Sequence, residues 1–281
     1  MRLNHDWSRN GYAYFSGGDV GRIIVFANRK GGCGKTTTAV NVAHALTAHG
    51  RVLLIDIDAQ AHASIIFASG PQSTTTILEV LENKLSLTEV IKPSRIAGLD
   101  LVYATRNLGA CEFAAGPDDE QALVLASQIS PIQSLYDYII IDPPPTLGIL
   151  MISSLIAAQE VFIPMPMHFL AMEGLAEMMQ VIYRLNASFN PALRLSGIIP
   201  TFYNQKTKIA RKISAEIKAN FGAGIMMPGI RNNITLAEAP AYKQTIFEYA
   251  PRSNGASDYR KLVEEGIVDT NNYSELKKEQ L

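Results

Sequence analysis

Cysteine is scarce in this chain: Cys33 and Cys111 are the only two among 281 residues. They build neither a disulfide framework nor a CxxC metal or redox pair, and both are expected to be free thiols in a reducing compartment. Net charge is almost absent as well, formally −1. No global field draws the chain to nucleic acid, so any such binding must come from a local patch. A long hydrophobic run is missing too. The most apolar stretch, 149–167, is broken by Gln159, Glu160, Pro164 and Pro166, which excludes a membrane span there. The opening MRLNHDWSRNGYAYFSGG has no apolar core of the kind a secretion signal needs. No internal repeat is found. At 47% hydrophobic and 18% charged residues the composition is that of a globular, cytoplasmic protein rather than a disordered one.

What is present is a regular alternation. Short, apolar, β-branched runs occur at 23–28, 51–58, 99–104, 138–145, 161–166 and 195–201. Each is bounded by polar or turn residues, as strands buried on both faces of a parallel sheet are. Helix-length segments fill 35–49, 119–134, 148–158, 168–188 and 205–220. Strand, helix, strand in repetition predicts an α/β fold: a doubly wound, mostly parallel sheet with helices on both faces. Residues 1–20 are expected to be a poorly ordered extension, and 21–281 a single domain. The Ser73–Thr76 run is expected to open a helix carrying Ile77, Leu78, Val80 and Leu81.

The most informative stretch lies between the first expected strand and helix: Lys30, Gly31, Gly32, Cys33, Gly34, Lys35, Thr36, Thr37. Glycines let backbone N–H groups turn inward around oxygens. The helix N-terminus adds its dipole, Lys35 a point charge, and the Thr36 hydroxyl a ligand for Mg²⁺. This reads as a phosphate loop and resembles that of P-loop NTPases, which implies ATP and Mg²⁺ as cofactors. The ordinary spacing fails, because its first glycine falls on Arg29. In its place stands a second lysine, Lys30, at the mouth of the loop, from which reaching a facing subunit is sterically reasonable.

Carboxylates follow at two expected strand ends. LLIDIDAQAHAS carries Asp56 and Asp58, and YDYIIIDPPP carries Asp142. Phosphoryl transfer needs a group that orients the attacking water and carboxylates that hold hydrated Mg²⁺. Asp58 and Asp142 fit those tasks; Asp56 stays open between such a role and a solvated strand end. Pro143–Pro145 fix an extended exit that suits a switch-like loop.

KGGCGKTTT resembles the deviant Walker A motif of the ParA/MinD family of ATPases. The likeness runs from about 22 to 265. It implies that Lys30 contacts the nucleotide of the partner subunit in an ATP-bound homodimer. It also implies that Asp58, second aspartate of a DxDxQ pattern, positions water, and that Asp142 holds Mg²⁺ through water. Ala59 and His62 depart from a common proline and asparagine without removing a needed group. FLAMEGL, GIIPTFYNQKTKIARKI and LAEAPAYKQTIFEYAPRSNGASDY look like the ParA/Soj partitioning branch. That branch implies weak intrinsic ATPase turnover, a ParB-like centromere-binding partner, and an adenine pocket near Thr201 and Ile230–Asn232.

In helical register Lys208, Arg211, Lys212 and Lys218 share one side, with Lys206 just before them. Such a stripe suits sequence-independent, salt-sensitive binding of double-stranded DNA, or it is merely a solvated helix face. The resemblance favours DNA, because Lys206 occupies the place of a basic contact residue and nucleoid association would follow. Thr235 stands where relatives often have another basic residue, with Arg231 as a candidate substitute. A MinD-like membrane switch is the alternative, but the tail VDTNNYSELKKEQL is a poor amphipathic anchor. A nitrogenase-type cluster protein needs two cluster cysteines, and Cys33 is inside the loop. Positioning of another cargo by the same switch stays open.

Overall fold

The computed structural model describes residues 21–68, 74–113 and 120–269. The expected extension 1–20, Ser73, residue 119 of one expected helix, and the tail from 270 lie outside the described residues.

Seven strands form one sheet: β1 (Arg22–Phe26), β2 (Val52–Asp56), β3 (Lys92–Pro93), β4 (Leu99–Val102), β5 (Tyr138–Asp142), β6 (Glu160–Pro166) and β7 (Arg194–Thr201). Their order is β3-β4-β2-β5-β1-β6-β7. All pairs are parallel except β3 with β4, an antiparallel edge of two residues that no apolar run announces. The central strands are apolar between their ends because both faces are covered. Ile23 and Val25 belong to one core cluster, Ile24 and Phe26 to the other.

One face is covered by α1 (Lys35–Leu46), α2 (His62–Phe67), α10 (Ile246–Tyr249) and α11 (Asn254–Lys261). The other packs against α3 (Ile77–Leu81), α4 (Leu87–Val90), α5 (Gln121–Ile129), α6 (Ile149–Ala157), α7 (Phe169–Ser188) and α8 (Lys208–Phe221). A short α9 (Ile234–Glu238) lies before α10. This is the expected doubly wound architecture. The expected helix 119–134 is shorter than anticipated: α5 ends at Ile129 and a 3-10 turn runs Ser130–Leu135. Pro131 has no N–H to give to an α-helical turn, which accounts for the change.

Local chemistry sets the helix ends. Thr76 caps α3, with Glu79 reaching back to it in a capping box, as its place before Ile77 suggests. On α7 the buried residues Ala171, Leu175, Met178, Ile182 and Leu185 recur at three- and four-residue spacing. Burying each of the leucine, isoleucine and methionine side chains among them stabilises the fold by roughly 1.5–3 kcal/mol. Polar pairing closes the N-terminal rim of the sheet. Buried Glu160 takes Arg22 at 2.8 Å and Arg194 at 3.6 Å, while Asp100 takes the Tyr136 hydroxyl at 2.8 Å and Arg51 at 3.6 Å. No helix of the described residues is long and apolar enough to cross a membrane.

Candidate phosphate and metal site

The opposite rim gathers the site. Residues from the ends of β1, β2, β5, β6 and β7 converge there because parallel strands present all their carboxyl ends on one side. The loop between β1 and α1 is held at its base by Asn28, which is buried. Its amide donates to the Pro164 carbonyl at 2.8 Å, and its Oδ1 accepts the Lys30 N–H at 3.0 Å. Gly32 at φ 69° and Gly34 at φ 92° are in the left-handed region, where any residue with a Cβ is strained. A Cβ added at Gly31 or Gly32 would meet nothing within 4 Å. Both glycines are exposed, so their backbone borders open space. On the outside, the Thr201 hydroxyl at the end of β7 donates to the Cys33 carbonyl at 2.9 Å. Cys33 is buried, and burial pushes its thiol up despite the Lys35 charge nearby.

Lys35 is 7% exposed, and its ammonium donates to the Lys30 carbonyl at 3.3 Å. A buried cation held by one carbonyl oxygen is poised for a stronger anionic partner. Thr36 and Thr37 open α1, where free backbone N–H groups and the helix dipole favour phosphate.

Asp56 and Asp142 are register partners on β2 and β5, and both are fully buried. Asp56 is not the solvated strand end that the sequence left open. It accepts Ser64 N–H and Oγ–H, both at 2.7 Å, and Asp58 N–H at 3.2 Å, anchoring α2. Burial pushes its carboxyl up to about 6, against these hydrogen bonds. Asp142 differs: neither carboxylate oxygen has a hydrogen-bond partner of normal geometry. Burial, then the Asp56 charge, raises it well above the usual carboxylate range. The Thr36 hydroxyl is near enough to oppose that rise without completing a hydrogen bond, as do the charge of Lys35 and its proximity. Asp58 is half-buried beyond the strand end, its Oδ1 accepting Gln60 N–H at 2.9 Å.

This donor set fits a hydrated Mg²⁺. The orphaned buried carboxylate of Asp142 faces the Thr36 hydroxyl, with Asp58 at the margin. Mg²⁺ characteristically takes one or two protein oxygens and completes its octahedron with water and phosphate. No cluster of three or more His, Cys, Asp or Glu suited to a metal occurs among the described residues, so an all-protein cage is not what this site offers.

Lys30 is exposed at the mouth, and its ammonium donates to Nε2 of His168 at 3.1 Å. His168 precedes α7 as its N-cap residue; its carbonyl accepts the Ala171 N–H at 3.0 Å, while its side chain makes no capping bond. The sequence reading passed it over, because a lone histidine beside Phe169 carries no spacing signal. A groove of about 270 Å³ adjoins Lys30, lined in part by Arg29, Leu170, Glu173 and Glu177. In it Arg29 pairs with Glu177 at 2.7 Å.

Away from this site, α8 buries Ala210, Ile213 and Ile217 and leaves Lys208, Arg211, Lys212 and Lys218 exposed. Lys206 is exposed on the turn before the Thr207 cap. Arg231 does not stand free as a substitute for Thr235: its guanidinium holds Asp258 at 2.6 Å. The two segments expected near the base meet, with Ile230 N–H donating to the Pro200 carbonyl at 2.7 Å and Tyr203 N–H to the Ile230 carbonyl at 2.9 Å.

Known proteins resemble this chain over most of its length. The profile of a family described as an AAA domain matches residues 21–195. The chromosome partitioning protein ParA of Caulobacter vibrioides is 34% identical over 250 residues, covering 88% of this chain and 94% of that protein. The sporulation initiation inhibitor protein Soj of Bacillus subtilis is 34% identical over 248 residues, 88% of this chain and 98% of that protein. Among solved structures, cobyrinic acid a,c-diamide synthase from Mycobacterium smegmatis, with bound ATP analog and magnesium, superposes with a TM-score of 0.71. It shares 28% identity and covers 86% of this chain and 92% of that one.

Proposed function

The chain belongs to the ParA/Soj family of partitioning ATPases, and from that premise we propose that it is an ATP-dependent dimerising switch that binds DNA non-specifically. A phosphate cradle accompanied by a second, exposed lysine at its mouth carries this reading. Lys35 and the Gly31–Thr37 backbone bind the triphosphate of ATP. Thr36 and Asp142, with Asp58 at the margin, hold Mg²⁺ directly or through water. That cation supplies charge neutralisation at the transferring phosphoryl group. Asp58 orients the attacking water. Lys30, outside its own cradle, reaches the nucleotide of a second copy, so ATP bridges two subunits.

The exposed residues Lys206, Lys208, Arg211, Lys212 and Lys218 supply the DNA-facing charge. Each phosphate they neutralise releases counterions, so affinity falls steeply with salt. Pairing two copies doubles the charged surface, which couples the DNA grip to the ATP state. A ParB-like partner accelerates a weak intrinsic turnover, and the protein acts in the cytoplasm on the nucleoid to partition chromosome or plasmid DNA. The relatives named ParA and Soj support partitioning over other cargo.

DNA retention of the wild type and Asp58→Ala, measured with ATP, with ADP and without nucleotide across a salt series, tests the proposal. ATP-dependent, salt-sensitive retention that persists in Asp58→Ala is expected. Absence of retention in every state removes DNA as the substrate surface. Binding to liposomes instead would turn the reading to a MinD-like membrane switch.

A further inference from the structure

Lys30 is required to leave its own subunit, yet its ammonium already has an acceptor at home. The contact to His168 Nε2 is 3.1 Å and joins residues 138 positions apart, from the phosphate loop to the start of α7. The lysine backbone is pinned as well, with its N–H on Asn28 and its carbonyl on the Lys35 ammonium. Only the side chain is free to choose partners.

The other charged groups of the neighbouring groove are Arg29, Glu173 and Glu177. Glu177 is engaged by Arg29. A lysine attracted merely by negative charge would turn to a glutamate. In this structure it instead meets a group that, when neutral, accepts one hydrogen bond and exerts no net charge. A neutral acceptor of this kind holds an ammonium less strongly than an anionic phosphate does, so a phosphate can take its place.

We propose that His168 is a positioning residue for Lys30: it parks the lysine ammonium in the nucleotide-free or monomeric state and sets how readily it transfers to the nucleotide of the partner subunit. The proposal rests on the reading that Lys30 acts across a dimer. Parking stabilises the monomer only, and a symmetric pair gives up one such contact in each subunit. At a solvent-screened site each contact is worth about a factor of two to three, so the two together correspond to about threefold to tenfold in the concentration at which subunits pair.

Three variants give a pattern that general damage to α7 does not. His168→Ala removes the acceptor and is expected to lower the pairing concentration in ATP by about threefold to tenfold. His168→Glu replaces it with an anion that holds Lys30 more firmly, and is expected to raise that concentration. His168→Gln restores a neutral acceptor and returns it to near the wild-type value. Analytical ultracentrifugation with ATP and Mg²⁺ reads pairing, and fluorescent-nucleotide titration at low protein concentration reads monomer affinity, which is expected to stay unchanged throughout. Thermal melts identify any variant that is misfolded.

Ala and Glu shifting pairing in the same direction, or not at all, overturns the parking role. Lys30→Gln is run beside them. If that variant still pairs normally in ATP, the trans reading of Lys30 fails. If it does not pair while the His168 series is flat, parking alone fails.

Discussion

Replacing Asp142 by asparagine should make the nucleotide-free protein more stable while weakening its use of Mg²⁺. In the wild type this carboxyl is fully buried beside Asp56 and has no hydrogen bonds to offset desolvation. Ionising Asp56, raised from 3.8 to about 6, costs roughly 3 kcal/mol. Asp142 carries a penalty of the same sign, since burial and the Asp56 charge both raise it. An amide removes that charge and remains a buried polar group costing about 1 kcal/mol, so the balance favours the variant. In a domain of this size each kcal/mol gained adds about 2–4 °C in melting temperature.

The sign of the pH dependence follows from the direction of both shifts. Folded carboxyls that titrate above their unfolded values give stability that is fully present below pH about 4 and lost as pH rises through the folded value, about 6 for Asp56 and a raised one for Asp142. The difference between variant and wild type therefore opens above pH about 4 and is larger at neutral pH than in acid. Saturating ATP with Mg²⁺ should reverse the order. At a hundredfold excess over Kd a ligand adds about 2.7 kcal/mol, and the variant is expected to receive much less of it. Scanning fluorimetry from pH 4.5 to 8, with and without ATP and Mg²⁺, reads both effects. A nucleotide-free Asp142→Asn protein that melts below the wild type at pH 7.5 refutes the argument, because Asp142 would then support the fold.

Lys35→Ala should abolish detectable nucleotide binding by isothermal titration, since no other buried cation of the described residues lies in the loop. Asp58→Ala should keep ATP binding and lose hydrolysis by about a hundredfold or more on the scale of proton-transfer and water-positioning groups, trapping pairs visible by gel filtration. Brisk phosphate release from that variant would remove Asp58 from the site. Lys206→Glu with Arg211→Glu should weaken DNA retention and lower the salt slope by about one per lost phosphate contact, while ATP-dependent pairing stays intact.

The fold was largely legible because strands buried on both faces are written as unbroken apolar runs, and β1, β2, β5, β6 and β7 all carry that mark. The two-residue β3, holding Lys92 and Pro93, is fixed by its pairing with β4 and has no pattern of its own. Within the site, glycine and lysine spacing announced the loop, since few sequences outside a phosphate cradle need that conformation. What stayed hidden were long-range contacts. Thr201 on the Cys33 carbonyl, Asp258 on Arg231, and His168 on Lys30 each join residues that only the folded sheet brings together. Asp56 and Asp58 look alike in sequence. Two residues of separation decide that one anchors a helix in the interior and the other meets solvent.

The two rims of the sheet are electrically unlike. At the N-terminal rim, Glu160 has Arg22 and Arg194, and Asp100 has Arg51 and Tyr136. That end is internally neutralised and complete. At the carboxyl rim Lys35 holds only a carbonyl, and Asp142 lacks a hydrogen-bond partner. A triphosphate and its cation arriving there displace no ion pair of Lys35 or Asp142, so their charge is met by groups already desolvated and waiting. The protein without its nucleotide is in this sense an unfinished object, whose missing counter-charges are supplied from solution each time nucleotide and cation arrive.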